Sequence, residues 1–318
     1  MLSRLADHLF WMSRYIERAE NTARMLDVQL QASMLPGEAS SINEQWKTLL
    51  DLNDLQEAYN KRYAKLSSDK VLRFMLADNS NPSSIISCLE RARENARAVR
   101  VVLTTDIWEV VNNIWLEARA MVRDGSFVKD PARVFEWVKL QSHLFRGVTI
   151  GTLLKDEAFY FVRMGTFLER ADNTARILDV KYLMVQDDLE ERADFYFWSS
   201  LLRSVSAYEI YRKVYRDSFT PVRIAELLIQ RGDMPRSLMA CLDELLVNLN
   251  HVSSPGRQKA LKQAGRLRST LQYLTIDEAF QDQMHEFLTQ FVTQVNELGV
   301  TLSHEFLVPL ETSASSSD

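Results

Sequence analysis

From Met12 to Leu30 the apolar side chains recur with the spacing of one helix face. Met12, Tyr15, Ile16, Ala19, Ala23, Leu26 and Leu30 fall together when residues are stepped about 100° apart. The pattern predicts an amphipathic helix from near Leu2 to near Met34. Most of the remaining chain has the same periodicity, interrupted at "LPGEASS" (35–41), "LSSD" (66–69), "DNSNP" (78–82), "RDGSFVKDP" (123–131), "RDSFTP" (216–221), "RGDMP" (231–235) and "SSPG" (253–256). These stretches carry the Gly, Pro, Ser, Asn and Asp residues that end helices. "VRVVLTT" (99–105) is rich in strand formers, yet the spacing before it is helical, so it is read as the end of a helix begun after Pro82. Nothing alternates as a half-buried strand does, and the expected fold class is all-α with about twelve helices.

The polar positions show a second regularity. "ERAENTAR" (17–24) returns as "ERADNTAR" (169–176), and over 17–28 against 169–180 ten of twelve residues are identical. The two changes, Glu20 to Asp172 and Met25 to Ile177, are mild. At the same separation of 152, Trp46 matches Trp198, Tyr59 matches Tyr211 and Tyr63 matches Tyr215. After one inserted residue, Pro82 matches Pro235, Cys88 matches Cys241 and Asn95 matches Asn248. Fixed-period self-similarity of this kind marks a duplicated unit. The expected organisation is two homologous six-helix halves, 1–151 and 152–310, related by a pseudo-two-fold, with "ETSASSSD" (311–318) as a disordered tail.

Glu17, Glu20, Asn21, Arg24 and Asp27 lie within about 120° of one another on a helix surface, and Glu169, Asp172, Asn173, Arg176 and Asp179 repeat that stripe. Local ion pairs such as Glu20 with Arg24 contribute only a few tenths of a kcal/mol when exposed, too little to explain why residue identity survives duplication. Three readings stay open: a solvated face, a buried polar seam between helices, and a surface lining a ligand. The seam reading predicts that the two copies cross antiparallel about an axis between residues 20 and 21 and their equivalents. Glu17 then pairs with Arg176, Glu169 with Arg24, Glu20 lies near Asn173, and Arg14 points toward Asp179, while Thr166 breaks the reciprocal contact to Asp27.

Composition narrows the function classes. The chain has 318 residues, 46% of them hydrophobic and 25% charged, with nine Gly and seven Pro, which fits an ordinary globular protein. A formal charge of −5 disfavours nonspecific binding to nucleic acid or to an anionic membrane. Arg4, Asp7, Arg14 and Glu17 break up the apolar residues at the start, so no signal peptide or membrane span is expected there and a cytoplasmic location is the default. Two cysteines, Cys88 and Cys241, make no disulfide framework. At equivalent places inside amphipathic helices they read as small core residues rather than nucleophiles.

"MLSRLADHLFWMSRYIERAENTARMLDV", "NPSSIISCLERARENARAVR", "IWEVVNNIWL" and "GTLLKDEAFYFVRMGTFLERADNTARILDV" together resemble the bacterial alpha-E domain family over nearly the whole chain. The resemblance implies an all-helical protein encoded beside, or fused to, a circularly permuted ATP-grasp ligase, often with a transglutaminase-like protein nearby. It therefore points to ATP-dependent amide-bond chemistry on peptides or small molecules. The residues it singles out are Glu17, Arg18, Glu20, Asn21 and Arg24 with their counterparts. In the "GT-x-x-x-DE" segment the family often has Arg or His where this chain has Lys155, which keeps the charge but alters hydrogen-bond geometry.

No P-loop, G-x-G-x-x-G or H-E-x-x-H motif is present. Glu17 and Glu20 have the spacing of a helical-bundle metal site, but Asn21 and Arg24 share their stripe, and a permanent cation lowers the demand for a metal. No catalytic residue, metal ligand or cofactor is assigned. "ERARENAR" (90–97) forms another charged stripe, either an exposed ion-pair ladder or a place where Arg93 and Arg97 grip a carboxylate or phosphate. The second half has Leu246 and Asn250 there, so such a site exists once. The expected function is a non-enzymatic partner or substrate-positioning subunit of the ligase system, with a peptide-like substrate. Its binding residues are Glu17, Glu20, Asn21, Arg24, Glu169, Asp172, Asn173, Arg176, Arg93 and Arg97. The competing reading is an amide-bond enzyme with the Glu/Arg/Asn stripe as its active site.

Overall fold

The computed structural model describes residues 3–34, 39–185, 191–253, 257–277, 279 and 283–303, so the expected tail at 311–318 and most of the breaks at 35–41 and 253–256 lie outside the described residues. The described residues form fifteen helices and no strand. The first half holds α1 (Ser3–Ser33), α2 (Ala39–Leu52), α3 (Gln56–Arg62), α4 (Ser68–Ala77), α5 (Ile85–Ala98), α6 (Thr105–Asp124), α7 (Ser126–Lys129) and α8 (Pro131–Thr152). The second holds α9 (Glu157–Val185), α10 (Glu191–Ser204), α11 (Tyr208–Tyr215), α12 (Pro221–Ile229), α13 (Leu238–Asn250), α14 (Arg257–Gln272) and α15 (Met284–Leu302). The count exceeds twelve because short helices occupy stretches that periodicity alone merges. The "VRVVLTT" stretch is not helix end but turn: α5 stops at Ala98, and Thr104 caps α6 by accepting a bond from the Ile107 amide.

Local chemistry sets the breaks. Ser84 and Ser237, equivalent positions, cap α5 and α13 by accepting from the third amide of each helix. Asp130 caps α8 with Pro131 at its first position. Gly125, at φ 78°, ends α6 in the left-handed conformation that other residues rarely adopt.

The long helices α1 and α9 form the axis of the molecule and pack most extensively on each other. Around them the neighbours repeat: α5 and α8 lie on α1, and α13 and α15 lie on α9. The backbones approach closely at Gly165, where a Cβ would stand 2.2 Å from Ser13 Oγ and 2.3 Å from the Phe10 carbonyl oxygen. Ser13 is the residue equivalent to Gly165 in the other copy, so the crossing point falls on matching positions of the two helices. The equivalent pairs Trp46 and Trp198, Tyr59 and Tyr211, and Cys88 and Cys241 are all buried, within one continuous apolar core. Burial pushes both thiols up to about 12, which leaves them protonated and unreactive at neutral pH. Among the described residues no helix is long and apolar enough to cross a membrane.

Candidate functional site

The copied polar stripes face inward at the crossing of α1 and α9. Glu17, Glu20, Asn21 and Glu169 are each at most 5% exposed, so the solvated-face reading is excluded for them. A buried carboxylate persists only when cations and donors replace its water, and for Glu17 and Glu169 the forked donors come from the other half. Arg170 clamps Glu17 with two bonds, Nε to Oε1 at 2.8 Å and Nη2 to Oε2 at 3.0 Å. Arg18 clamps Glu169 with the same atoms, Nε to Oε1 at 2.5 Å and Nη2 to Oε2 at 2.9 Å. Each Glu-Arg dipeptide thus exchanges a forked ion pair with its copy.

This geometry corrects the expected register. Glu17 takes Arg170 rather than Arg176, and Glu169 takes Arg18 rather than Arg24. The centre of the exchange lies between residues 17 and 18, not between 20 and 21. Arg24 and Arg176 instead bond locally to Glu20 and Asp172, one helical turn away. Arg14 reaches Glu169 at 2.8 Å and not Asp179. Asp179 meets His285 and Asp27 meets Lys139. Glu20 lies against α8 and the turn before α13 rather than against Asn173, which is half-buried. The signal for the true pairing was already in the chain, since Arg18 and Arg170 belong to the ten identical residues.

The surroundings of the two dipeptides differ. Arg236, in the turn before α13, donates to Glu17 at 2.9 Å, to Glu20 at 2.6 Å and to the Asn21 side-chain oxygen at 2.9 Å. Arg146 of α8 bonds both Glu17 and Glu20, and Ser142 donates to Glu20 at 2.6 Å. Neither arginine has a cationic counterpart. Ser83 occupies the position equivalent to Arg236 in the register that pairs Pro82 with Pro235. On α8 and α15, Lys139 and His285 meet equivalent aspartates and Phe145 matches Phe291, a separation of 146 that sets Val292 opposite Arg146. Around Glu169 the remaining contacts are Arg14 and, through Asp172, Arg176, whose second nitrogen meets Asp54 at 2.6 Å.

The electrostatics follow the partners. Burial would raise the Glu17 carboxyl, but Arg170 and Arg236 hold it below the ordinary value. Glu20 is held well below it against the same burial cost by Arg236, Arg146 and Arg24. Arg18 and Arg14 likewise overcome burial at Glu169 and bring it to about 2. Asp172 goes the other way, because burial outweighs Arg176 and leaves its pKa raised. Arg93 and Arg97 are not part of this centre. They stand on the outer side of α5, bonded to Glu94 at 2.5 and 2.8 Å, and Arg97 is 63% exposed. Among the described residues no three His, Cys, Asp or Glu side chains gather where they could hold a metal ion.

The chain is 23% identical over 262 residues to an uncharacterised protein of Mycobacterium bovis and 22% identical over 262 residues to one of Mycobacterium tuberculosis. Each match covers 77% of this chain but 29% of the relative, so the chain spans less than a third of the length of the curated relatives it matches. No solved structure matches it significantly. A family model for a predicted alpha-helical domain with a conserved ER motif matches residues 1–307. With Glu17-Arg18 and Glu169-Arg170 exchanging forked ion pairs at the centre of an all-helical fold, the chain belongs to the Alpha-E family.

Proposed function

We propose that this protein is a non-enzymatic helical partner, or substrate-positioning subunit, of an ATP-grasp amide-ligase system acting on peptides or small molecules. The observation that carries the reading is the use made of the copied polar residues. Glu17 and Glu169 are clamped by guanidiniums and held ionised far from neutrality. A general base works best with a proton affinity near the operating pH, and a general acid must hold a proton to give. Carboxylates in this state fix geometry and transfer no protons. The length of the relatives supports a role beside other domains, since the matching region makes up only 29% of their chains. The partner the family resemblance suggests is a circularly permuted ATP-grasp-type protein, with a transglutaminase-like protein second and a peptide-like substrate. A cytoplasmic location accords with it.

The docking surface we assign is the outer side of α5, where Arg97 is open to solvent and Arg93 lies 5.9 Å from the Trp108 ring while bonding Asn112. The test is amide formation by the purified ligase, with and without this chain, together with direct binding. Product formation should depend on the chain, and replacing Arg93 and Arg97 with Ala should weaken binding while leaving the helical fold intact. Turnover of an ATP-independent substrate by the isolated chain, abolished in a folded Glu17→Gln variant, would overturn the reading in favour of an enzyme.

A further inference from the structure

The two Glu-Arg centres differ in charge balance. Around Glu17 and Glu20, four guanidiniums (Arg24, Arg146, Arg170 and Arg236) face two carboxylates. Both carboxylates are ionised, so the centre holds two positive charges in excess. Asp27, further along α1, does not cancel them, because Lys139 holds it at 2.8 Å. Around Glu169 and Asp172 the count closes, with Arg14, Arg18 and Arg176 against Glu169, Asp172 and Asp54. The excess thus comes from Arg146 and Arg236, which have no arginine counterpart, whereas the unmatched Arg14 of the other centre is offset by Asp54.

A second observation falls in the same place. The side-chain nitrogen of Asn21 is buried and donates to nothing, although Asn21 is only 3% exposed. Its oxygen accepts from Arg236, which fixes the amide orientation and leaves the nitrogen as the buried donor without an acceptor. A buried donor without an acceptor is costly, as are uncompensated buried cations. One anion relieves both. Asn21 and Arg24 are three residues apart on α1, on the same helix face. Arg24 and Arg146 are the most exposed arginines of the cluster, at 13% and 19% against 9% for Arg170 and Arg236, so an anion reaches the cluster from their side. His143 lies beside Arg146: its Nδ1 meets Arg146 Nη2 at 2.5 Å, and burial and the nearby guanidiniums lower its pKa, so the ring adds no further charge at neutral pH.

We propose that the Glu17/Glu20 centre is an anion site that binds one phosphate group at Asn21, Arg24 and Arg146. The size of the excess selects the ligand: a phosphate carries about −1.5 to −2 at neutral pH, matching two uncompensated cations, where a carboxylate would leave one. Forked guanidinium donors suit the same group. The inference stands on the charge count and the orphan donor, and does not depend on the ligase reading.

The test is titration calorimetry and thermal unfolding of the full chain with inorganic phosphate and with sulfate, using acetate at matched ionic strength as the control. Phosphate and sulfate should bind once per chain and raise Tm, and acetate should do neither. Asn21→Asp puts a carboxylate where the orphan donor stands, so it should keep the fold and weaken phosphate binding about tenfold or more. Arg24→Gln should do the same, while Arg176→Gln, its counterpart in the balanced centre, should bind phosphate as the parent does. Tighter binding of phosphoserine than of phosphate would support a site for a phosphate carried on a larger molecule, and the reverse order would support one for free phosphate. Dianions that act no differently from acetate, or undiminished binding by both Asn21→Asp and Arg24→Gln, would overturn the proposal. Equal losses in Arg24→Gln and Arg176→Gln would overturn it as well.

Discussion

Around Glu17, four guanidiniums converge on two carboxylates at most 1% exposed. Around Glu169, three guanidiniums meet three carboxylates, and Arg18 and Arg176 are each 27% open to water. The two centres arose from the same eight residues and share one feature atom for atom, the forked clamp between each Glu and the Arg of the other dipeptide. That clamp is what both copies need to hold α1 against α9, and it is what both retained. The arginines that differ lie outside the motif, Arg146 on α8, Arg236 before α13 and Arg14 one turn ahead of Glu17 on α1, where one copy could change without breaking the clamp.

The comparison is tested most severely by removing one carboxylate at a time. Glu17→Gln strands Arg170, whose side chain is 9% exposed, and leaves Arg236 with Glu20 as its one carboxylate, so it should cost about 3 to 5 kcal/mol in urea unfolding. Glu169→Gln strands Arg14 and Arg18, and because Arg18 can turn to water the cost should be about 1 to 3 kcal/mol. Equal losses would show that the two centres are energetically alike despite their different surroundings.

The crossing point gives the next effect. Gly to Ala inside a helix ordinarily stabilises by about 1 kcal/mol. At Gly165 the sign should invert, because the new methyl would meet Ser13 Oγ and the Phe10 carbonyl, and overpacking of this kind costs about 1 to 3 kcal/mol. Ser13→Gly in the same chain should recover part of the loss and leave the share due to the Phe10 carbonyl.

A smaller and sharper contrast lies between Glu20 and Asp172, equivalent residues whose proton affinities move in opposite directions. Asp172 is held protonated more readily than in the unfolded chain, so its ionisation opposes folding at neutral pH. Arg176 keeps Asp54 when Asp172 is removed. Asp172→Asn should therefore change stability at pH 7 by less than about 1 kcal/mol, whereas Glu20→Gln belongs with the severe class of Glu17. Acid titration checks the same assignment. Glu169 sits at about 2 when folded, below its ordinary 4.5, so its contribution is full above 4.5 and is lost as the pH falls toward 2. Unfolding measured between those values should lose stability less steeply in Glu169→Gln than in the parent chain.

Much of this arrangement was legible in the chain. Helical periodicity specifies the all-α class and the extent of α1, because no Gly or Pro interrupts the apolar face between Ser3 and Ser33. The duplication follows from residue identity kept at polar positions, and the inward turn of the copied stripe was one of the three readings that identity left open. The register was misplaced because the helix wheel groups Glu17 with Arg24, and a wheel shows only which residues share a face. It carries no information on where two helices cross, which is decided by the close approach at Gly165 and Ser13. Arg146 and Arg236 were out of reach for another reason. They come to Glu17 from 129 and 219 residues away, and no local period relates them to it. The one usable trace was a mismatch, Arg236 against Ser83, inside an otherwise matching segment.

The smallest expected effect on stability concerns the one charged stripe that stays outside the seam. Arg97 is 63% exposed and Arg93 25%, and both share Glu94 as their ion-pair partner. Exposed pairs of this kind contribute under about 1 kcal/mol, since water solvates the separated charges nearly as well. Replacing both arginines with Ala should therefore shift the unfolding midpoint far less than any single substitution at Glu17 or Glu20. It removes, however, a guanidinium from the Trp108 face and the only strongly exposed arginine of the pair. The other half offers no substitute, because Leu246 and Asn250 stand at the matching positions. A double variant that unfolds like the parent but no longer binds the ligase would locate the docking surface on the first half. One that binds undiminished would move it elsewhere and leave the two halves distinguished by their buried centres alone.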